Sequence, residues 1–139
     1  MRKGLTPEDL GDLLDLPRVA VLATNRRDGT VLLSPVWHEW RDNGFNVVTV
    51  SSEVKAGHLR RDPRASIVVY EDAPPYRGIE LRATAILSAL DDLEIVRRIA
   101  SRYLGAEGGA QYAETAGDDL LVRLEPGELR AWDFTDDFA

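Results

Sequence analysis

The 139 residues contain no cysteine, which excludes disulfides, a thiol nucleophile and a thiolate metal site together. Histidine is nearly as scarce. His38 and His58 stand far apart in the sequence, with no carboxylate at ligand spacing from either, so no metal centre is predicted. Positive charge is in deficit: the net charge is -7, without the basic stripe of a nucleic-acid binder or a protein that docks on anionic lipid. No apolar run approaches the roughly 18 residues a membrane span needs. The opening MRKGLTPEDL lacks the apolar core of a secretion signal, so a cytoplasmic protein is expected, folded as one domain over residues 1–139. Also missing are the glycine-rich nucleotide loops GxGxxG and GxxxxGK[ST], the GxSxG elbow and any nucleophilic triad. Lysine is the last shortage. Of seventeen lysines and arginines only Lys3 and Lys55 are lysine.

What is present reads mainly as strand. Thr6 is placed to cap a helix with Pro7 at its first position, carrying Leu10, Leu13 and Leu14 and ended by Pro17. Arg18–Thr24 is a buried strand, Asp28-Gly29 a hairpin turn, and Val31–Trp40 the return strand with Pro35 inside it. A second turn, RDNG at 41–44, leads into a strand over Phe45–Ser51. A short helix capped by Ser52 then runs to Arg61, ahead of Asp62-Pro63. Strands follow at Ala65–Tyr70 and Ile79–Leu87, an amphipathic helix at Asp91–Leu104 stopped by Gly105, Gly108 and Gly109, and two last strands at Leu120–Leu124 and Glu128–Trp132. Gln111–Gly117 has little pattern. Tight turns between consecutive strands predict a small antiparallel barrel with flanking helices.

Two stretches carry chemistry. Thr49, Ser51 and Ser52 put hydroxyls at a strand end, the next helix begins there, and Lys55 adds a compact charge one turn in. Such a group suits an anion, most naturally a phosphate. The same residues equally describe a capped surface helix with a solvated lysine; the rarity of lysine tips the reading toward the anion. In SPVWHEW (34–40), two of the three tryptophans either pack a core or bed a planar ligand against the backbone of Pro35, Val36 and Trp37. Arg60, Arg61 and Arg64 form a basic cluster that Asp62 and Glu71 can pair.

RVAVLATNRRDGTVLLSPVWHEW, FNVVTVSSEVKAGHLRRDPRASIVVYED and PPYRGIELRATAIL, in this order, resemble the pyridoxamine 5'-phosphate oxidase-like, split β-barrel superfamily, over about residues 5–133. HLRRDPRAS, SPVW and PPYRG carry most of the likeness, which is closest to flavin/deazaflavin oxidoreductases of the F420-dependent type. The resemblance implies a split β-barrel and a homodimer with its cofactor at the subunit interface. The cofactor it implies is F420, with FMN as the alternative, and the activity is hydride transfer to a small planar acceptor. It implies that Lys55 holds the phosphate beside Thr49, Ser51 and Ser52, and that Pro35, Val36 and Trp37 line the ring. Arg60 falls near the phosphate or tail, Tyr76 and Arg77 on the loop the partner brings, and Trp132 on a final strand near the pocket. Two positions where F420-binding relatives carry basic or amide groups are Glu53 and Gly57 here, and Glu53 has the wrong sign for a polyglutamate tail. No catalytic residue is singled out, although Tyr76 or His38 could donate a proton. A split barrel that stores FMN, F420, haem or a bilin without turnover is the competing expectation.

Overall fold

Among the described residues, nine strands and two α-helices form in the order β1 (Ala20–Asn25), β2 (Val31–Val36), β3 (Glu39–Trp40), β4 (Phe45–Val50), α1 (Val54–Arg61), β5 (Arg64–Tyr70), β6 (Gly78–Thr84), β7 (Ile86–Ala89), α2 (Leu93–Glu114), β8 (Asp119–Leu124) and β9 (Glu128–Trp132). The structure, a computed structural model, describes residues 1–138. A five-stranded sheet runs β2-β1-β5-β6-β9 and a four-stranded sheet β3-β4-β8-β7, every pairing antiparallel. The result is a split β-barrel with flanking helices. Its core lies between the sheets. Leu22, Ile67, Val69 and Leu81 face inward from one, and Phe45, Val47, Val122 and Leu124 from the other.

The register sorts the outer face of the larger sheet into two halves. Val21 stands opposite both Pro35 and Val68, and Ala23 opposite Leu33 and Ser66, so the β2-β1-β5 half shows a mostly apolar surface. Leu33 at its edge is 64% exposed. The β6-β9 half is charged: Arg82 pairs with Glu128 and Arg130 with Glu80. The one large aromatic there, Trp132, stands opposite Gly78 and fills the space a Cβ would need, about 2.2 Å from the indole.

Several expected elements are cut short, each for a local reason. The first helix is only a 3-10 turn over Pro7–Leu10, because Gly11 turns away at φ 63°. Thr6 still opens it, donating its N–H and hydroxyl to the Asp9 carboxylate. Leu10, Leu13 and Leu14 are buried as expected, but on an irregular segment. The long strand over 31–40 breaks after Val36, and β2 and β3 join different sheets. Ile79–Leu87 breaks at Ala85, whose N–H donates to the Pro63 carbonyl. Asp42 and Asn43, both at positive φ, make the tight turn between β3 and β4.

α2 is two helical pieces. Gly105 sits at φ 80° and ψ 171°, outside helical geometry, as its place after Leu104 predicted. Gly108 and Gly109 do not stop a helix; they lie within the second piece. Gly109 lets that piece lie on the first, since a Cβ there would come within about 2.6 Å of the Ser101 backbone.

Candidate functional site

The strand break at Trp37 is where the site is built, and α2 holds it open. Arg98 clamps buried Glu39 through two hydrogen bonds from Nε and one from Nη2, and Asn46 adds another. Burial alone would raise the Glu39 carboxyl; the hydrogen bonds outweigh it and hold the group below its usual range. One turn on, Arg102 donates to the carbonyls of His38, Leu14 and Leu16. The Tyr103 hydroxyl accepts from the His38 N–H at 3.0 Å and donates to the Arg18 carbonyl at 2.9 Å. Thus two α2 side chains, Arg102 and Tyr103, take up the backbone groups of His38 while Arg98 holds the Glu39 carboxylate, and the chain can leave one sheet for the other.

Trp37 is thereby presented in a fixed pose. Its ring stacks on Tyr103 at 5.0 Å with planes 9° apart, and Tyr112 leans on it at 5.2 Å. Neither tyrosine was foreseen as a site residue. Tyr103 falls within the amphipathic helix pattern of 91–104, and Tyr112 lies in the segment with little pattern.

Two cavities flank this aromatic group. One, of about 470 Å³, is lined by Val19, Pro35, Val36, Trp37, Val48, Lys55 and Tyr112. It brings Lys55 together with the three residues predicted to bed a planar ring. β2 is the edge strand of its sheet, so one row of its backbone groups has no strand partner there. The other cavity, of about 270 Å³, lies under α2 and shares Trp37, Val48 and Tyr112 as the common wall. Thr49 is not beside Lys55: on β4 it shares the inward parity of Phe45 and Val47, opposite buried Leu120, so its side chain turns to the core. Its side chain is buried and its hydroxyl has no hydrogen-bond partner. Asp119 lines the second cavity, and burial raises its carboxyl above the ordinary value.

The remaining predicted residues separate. Helix α1 is capped by Glu53, not Ser52, and no side chain bonds its first N–H groups. Ser52 is exposed ahead of that cap. Arg60 donates to the Ser51 carbonyl at 2.9 Å and to its hydroxyl, so these two residues engage each other. Lys55 pairs with Glu53, the residue of unexpected sign, and is otherwise free among the described residues. Tyr76, Arg77 and Trp132 line neither cavity within one chain. Tyr76 packs on Phe138, and Trp132 on Gly78 and under the Arg130 guanidinium. Arg77 is consumed by buried Glu71, by Asp12 and by the Leu10 carbonyl, which raises its pKa. His38 cannot serve as a proton donor to a ligand. Its ring is wholly buried against Phe45, and burial lowers its pKa to about 4, so it is neutral near pH 7.

Among the described residues no three His, Asp or Glu side chains gather to hold a metal, and no helix is long and apolar enough to cross a membrane. A family model described as "Pyridoxamine 5'-phosphate oxidase" matches residues 6–133. No curated protein matches the sequence. Among solved structures, a conserved hypothetical protein of Mycobacterium tuberculosis superposes with a TM-score of 0.79 at 24% identity, over 97% of this chain and 89% of that one. An "F420 Reductase" gives 0.72 at 24% identity, over 89% and 98%. The heme storage protein HutZ of Vibrio cholerae gives 0.70 at 19%, over 88% and 92%. At these identities the structures share the fold.

Proposed function

The chain belongs to the pyridoxamine 5'-phosphate oxidase family, and on that premise we propose that it is a homodimeric oxidoreductase that binds F420, or alternatively FMN, and passes a hydride to a small planar acceptor. The observation that carries this reading is the Lys55 cavity. A compact cation lies in one pocket with an unpaired strand edge and an aromatic wall, which fits a phosphate tail and a flat, hydrogen-bonding ring. When bound, the cofactor supplies the two-electron chemistry; the protein orients it and excludes water. Lys55 would hold the phosphate in exchange for Glu53. Pro35, Val36 and Trp37 would support the ring, with Trp37 braced from behind by Tyr103.

The homodimer is supported by where that cavity opens. Val19 and Pro35, at its mouth, border the exposed apolar half of the larger sheet. A second copy laid on Leu33, Val31 and Val21 would cover this face and close the cavity, and could bring its own loop with Tyr76 and Arg77. A carrier that holds F420, FMN, haem or a bilin without turnover is the second reading, favoured by the lack of any histidine or carboxylate lining the Lys55 cavity among the described residues. The haem-storing neighbour supports it at the level of fold alone.

Fluorescence titration with F420 and FMN, run beside light scattering, tests the reading. Saturable binding of one of them by a protein of twice 15.4 kDa is expected. Failure of both to bind at micromolar concentration, or a monomer that binds unchanged, would overturn it. Binding with no oxidation of the reduced cofactor by any nitro- or quinone-type acceptor would establish the carrier.

A further inference from the structure

The tip of the β1–β2 hairpin and the outer face of α1 enclose two hollows of about 500 and 470 Å³. Arg26, Arg27 and Arg61 line both, His58 completes the first and Asn25 the second. None of these residues lines the Lys55 cavity. Most arginines of this acidic chain are paired with a carboxylate. Arg26, Arg27 and Arg61 form no ion pair among the described residues, although the chain has carboxylates to spare. Two of them are nonetheless held in place. Arg26 donates through Nη1 to the Val31 carbonyl at 2.9 Å and to the Thr30 hydroxyl, and Arg61 through Nη2 to the Asn25 carbonyl. Each guanidinium is anchored at one nitrogen and keeps its other N–H groups free and its charge unopposed. The two acids that line the hollows are turned to other partners. Asp28 accepts from the N–H and hydroxyl of Thr30, and Asp62 from the Arg64 guanidinium and Asn25. His58 adds a fourth donor. Its Nδ1 lies 3.0 Å from the wholly buried Thr24 hydroxyl, which has no other acceptor among the described residues. The hydroxyl therefore donates to Nδ1, and the ring proton is left on Nε2, away from Thr24.

We propose that this groove is an anion site, separate from the Lys55 cavity, for a small molecule carrying a pyrophosphate group, whose oxygens take the free N–H groups of Arg26, Arg27 and Arg61 and the Nε2–H of His58. Three guanidiniums gathered without a counter-charge repel one another, and a bound polyanion offsets that cost. A single carboxylate leaves most of this charge unmatched. Tetrahedral phosphate oxygens meet donors arriving from a hairpin and a helix at once, and two hollows joined at shared arginines give room for two phosphates. A nucleic acid fits less well, because the net charge of -7 repels an extended polyanion while a small one feels mainly the local arginines. The site does not depend on the function proposed above.

Calorimetry on the full chain with inorganic pyrophosphate tests the site, in wild type and in Lys55→Ala. Saturable binding that survives Lys55→Ala, and that is much tighter than binding of acetate, is expected. Arg27→Glu, at an exposed side chain, should leave the melting temperature unchanged and weaken pyrophosphate about tenfold, the loss of a charge-assisted contact. Arg61→Gln should add to that loss. His58→Asn, which keeps an acceptor for Thr24 and removes the outer N–H, should weaken binding severalfold; Arg27→Glu serves alone if either of these variants fails to fold. No binding of pyrophosphate at millimolar concentration, loss of binding in Lys55→Ala, binding indifferent to Arg27→Glu, or tighter binding of a short single-stranded DNA than of pyrophosphate would overturn the proposal. The outcome is separable from the cofactor reading: pyrophosphate binding without F420 or FMN binding keeps the groove and rejects that function, and the reverse rejects only the groove.

Discussion

Lys55 and Arg77 are both cations that the family resemblance assigned to one cofactor site, and the structure gives them opposite situations. Arg77 spends its guanidinium on buried Glu71, on Asp12 and on the Leu10 carbonyl, tying the N-terminal segment to the loop after β5. Lys55 has a single carboxylate, Glu53, that is itself half exposed on the same short stretch of chain. The fork of arginine suits several fixed acceptors at once, whereas the ammonium of lysine is a point charge that can change partners. The difference teaches that a cation saturated by acceptors from three segments is a staple of the fold. One with a single exposed partner is free to bind something else.

The contrast breaks most visibly at Arg77. Arg77→Ala should lower folding stability by about 2–4 kcal/mol, since it strands a buried carboxylate, as read by chemical denaturation. The hydrogen bonds from Arg77 hold the Glu71 carboxyl below its usual range. Their contribution is therefore full above the ordinary carboxylate value and is lost as pH falls through the lower folded-state value. The gap between wild type and variant should shrink toward acid pH; a constant gap from pH 7 to 3 would separate the loss from Glu71. Next comes Lys55→Ala. It should leave denaturation unchanged and weaken whichever of F420 or FMN binds by about 1.5–3 kcal/mol. Equal dissociation constants in fluorescence titration would remove Lys55 from the site. The smallest effect is expected from Glu53→Arg, which replaces the competing carboxylate with a second cation. It should tighten F420 about tenfold at low salt, and FMN less, with the gain fading as salt rises. An unchanged F420 titration would show that Glu53 yields its place without cost.

How far the residues themselves carried the fold depends on the range of the forces involved. β4 and β5 appear within a residue or two of where their β-branched runs put them, because alternation against a core is written residue by residue. The turns at Gly29 and at Asp42-Asn43 follow from backbone chemistry equally local. The break at Trp37 had no such sign. SPVWHEW is a good strand by composition, and it parts only because Arg98, Arg102 and Tyr103, some sixty residues later, supply other partners for it. For the site, Pro35, Val36, Trp37 and Lys55 were legible together, as a rare residue type and a motif at the right separation. Tyr112 and the second cavity were not, since both depend on the later piece of α2 bringing Tyr112 to Trp37 and Val48.

By itself, then, the sequence determined the alternating strands, the turns, the family and the presence of only two lysines among fifteen arginines, all of which are read along the chain. Only the tertiary structure decided that Lys55 would be held by Glu53, that Arg77 would be spent on the fold, that Ser51 would engage Arg60, and that Thr49 would turn into the core away from Lys55. Those outcomes turn on which side chains from distant segments reach one another first. A hydrogen bond or an ion pair, falling off within a few ångströms, is settled by packing that no local pattern records.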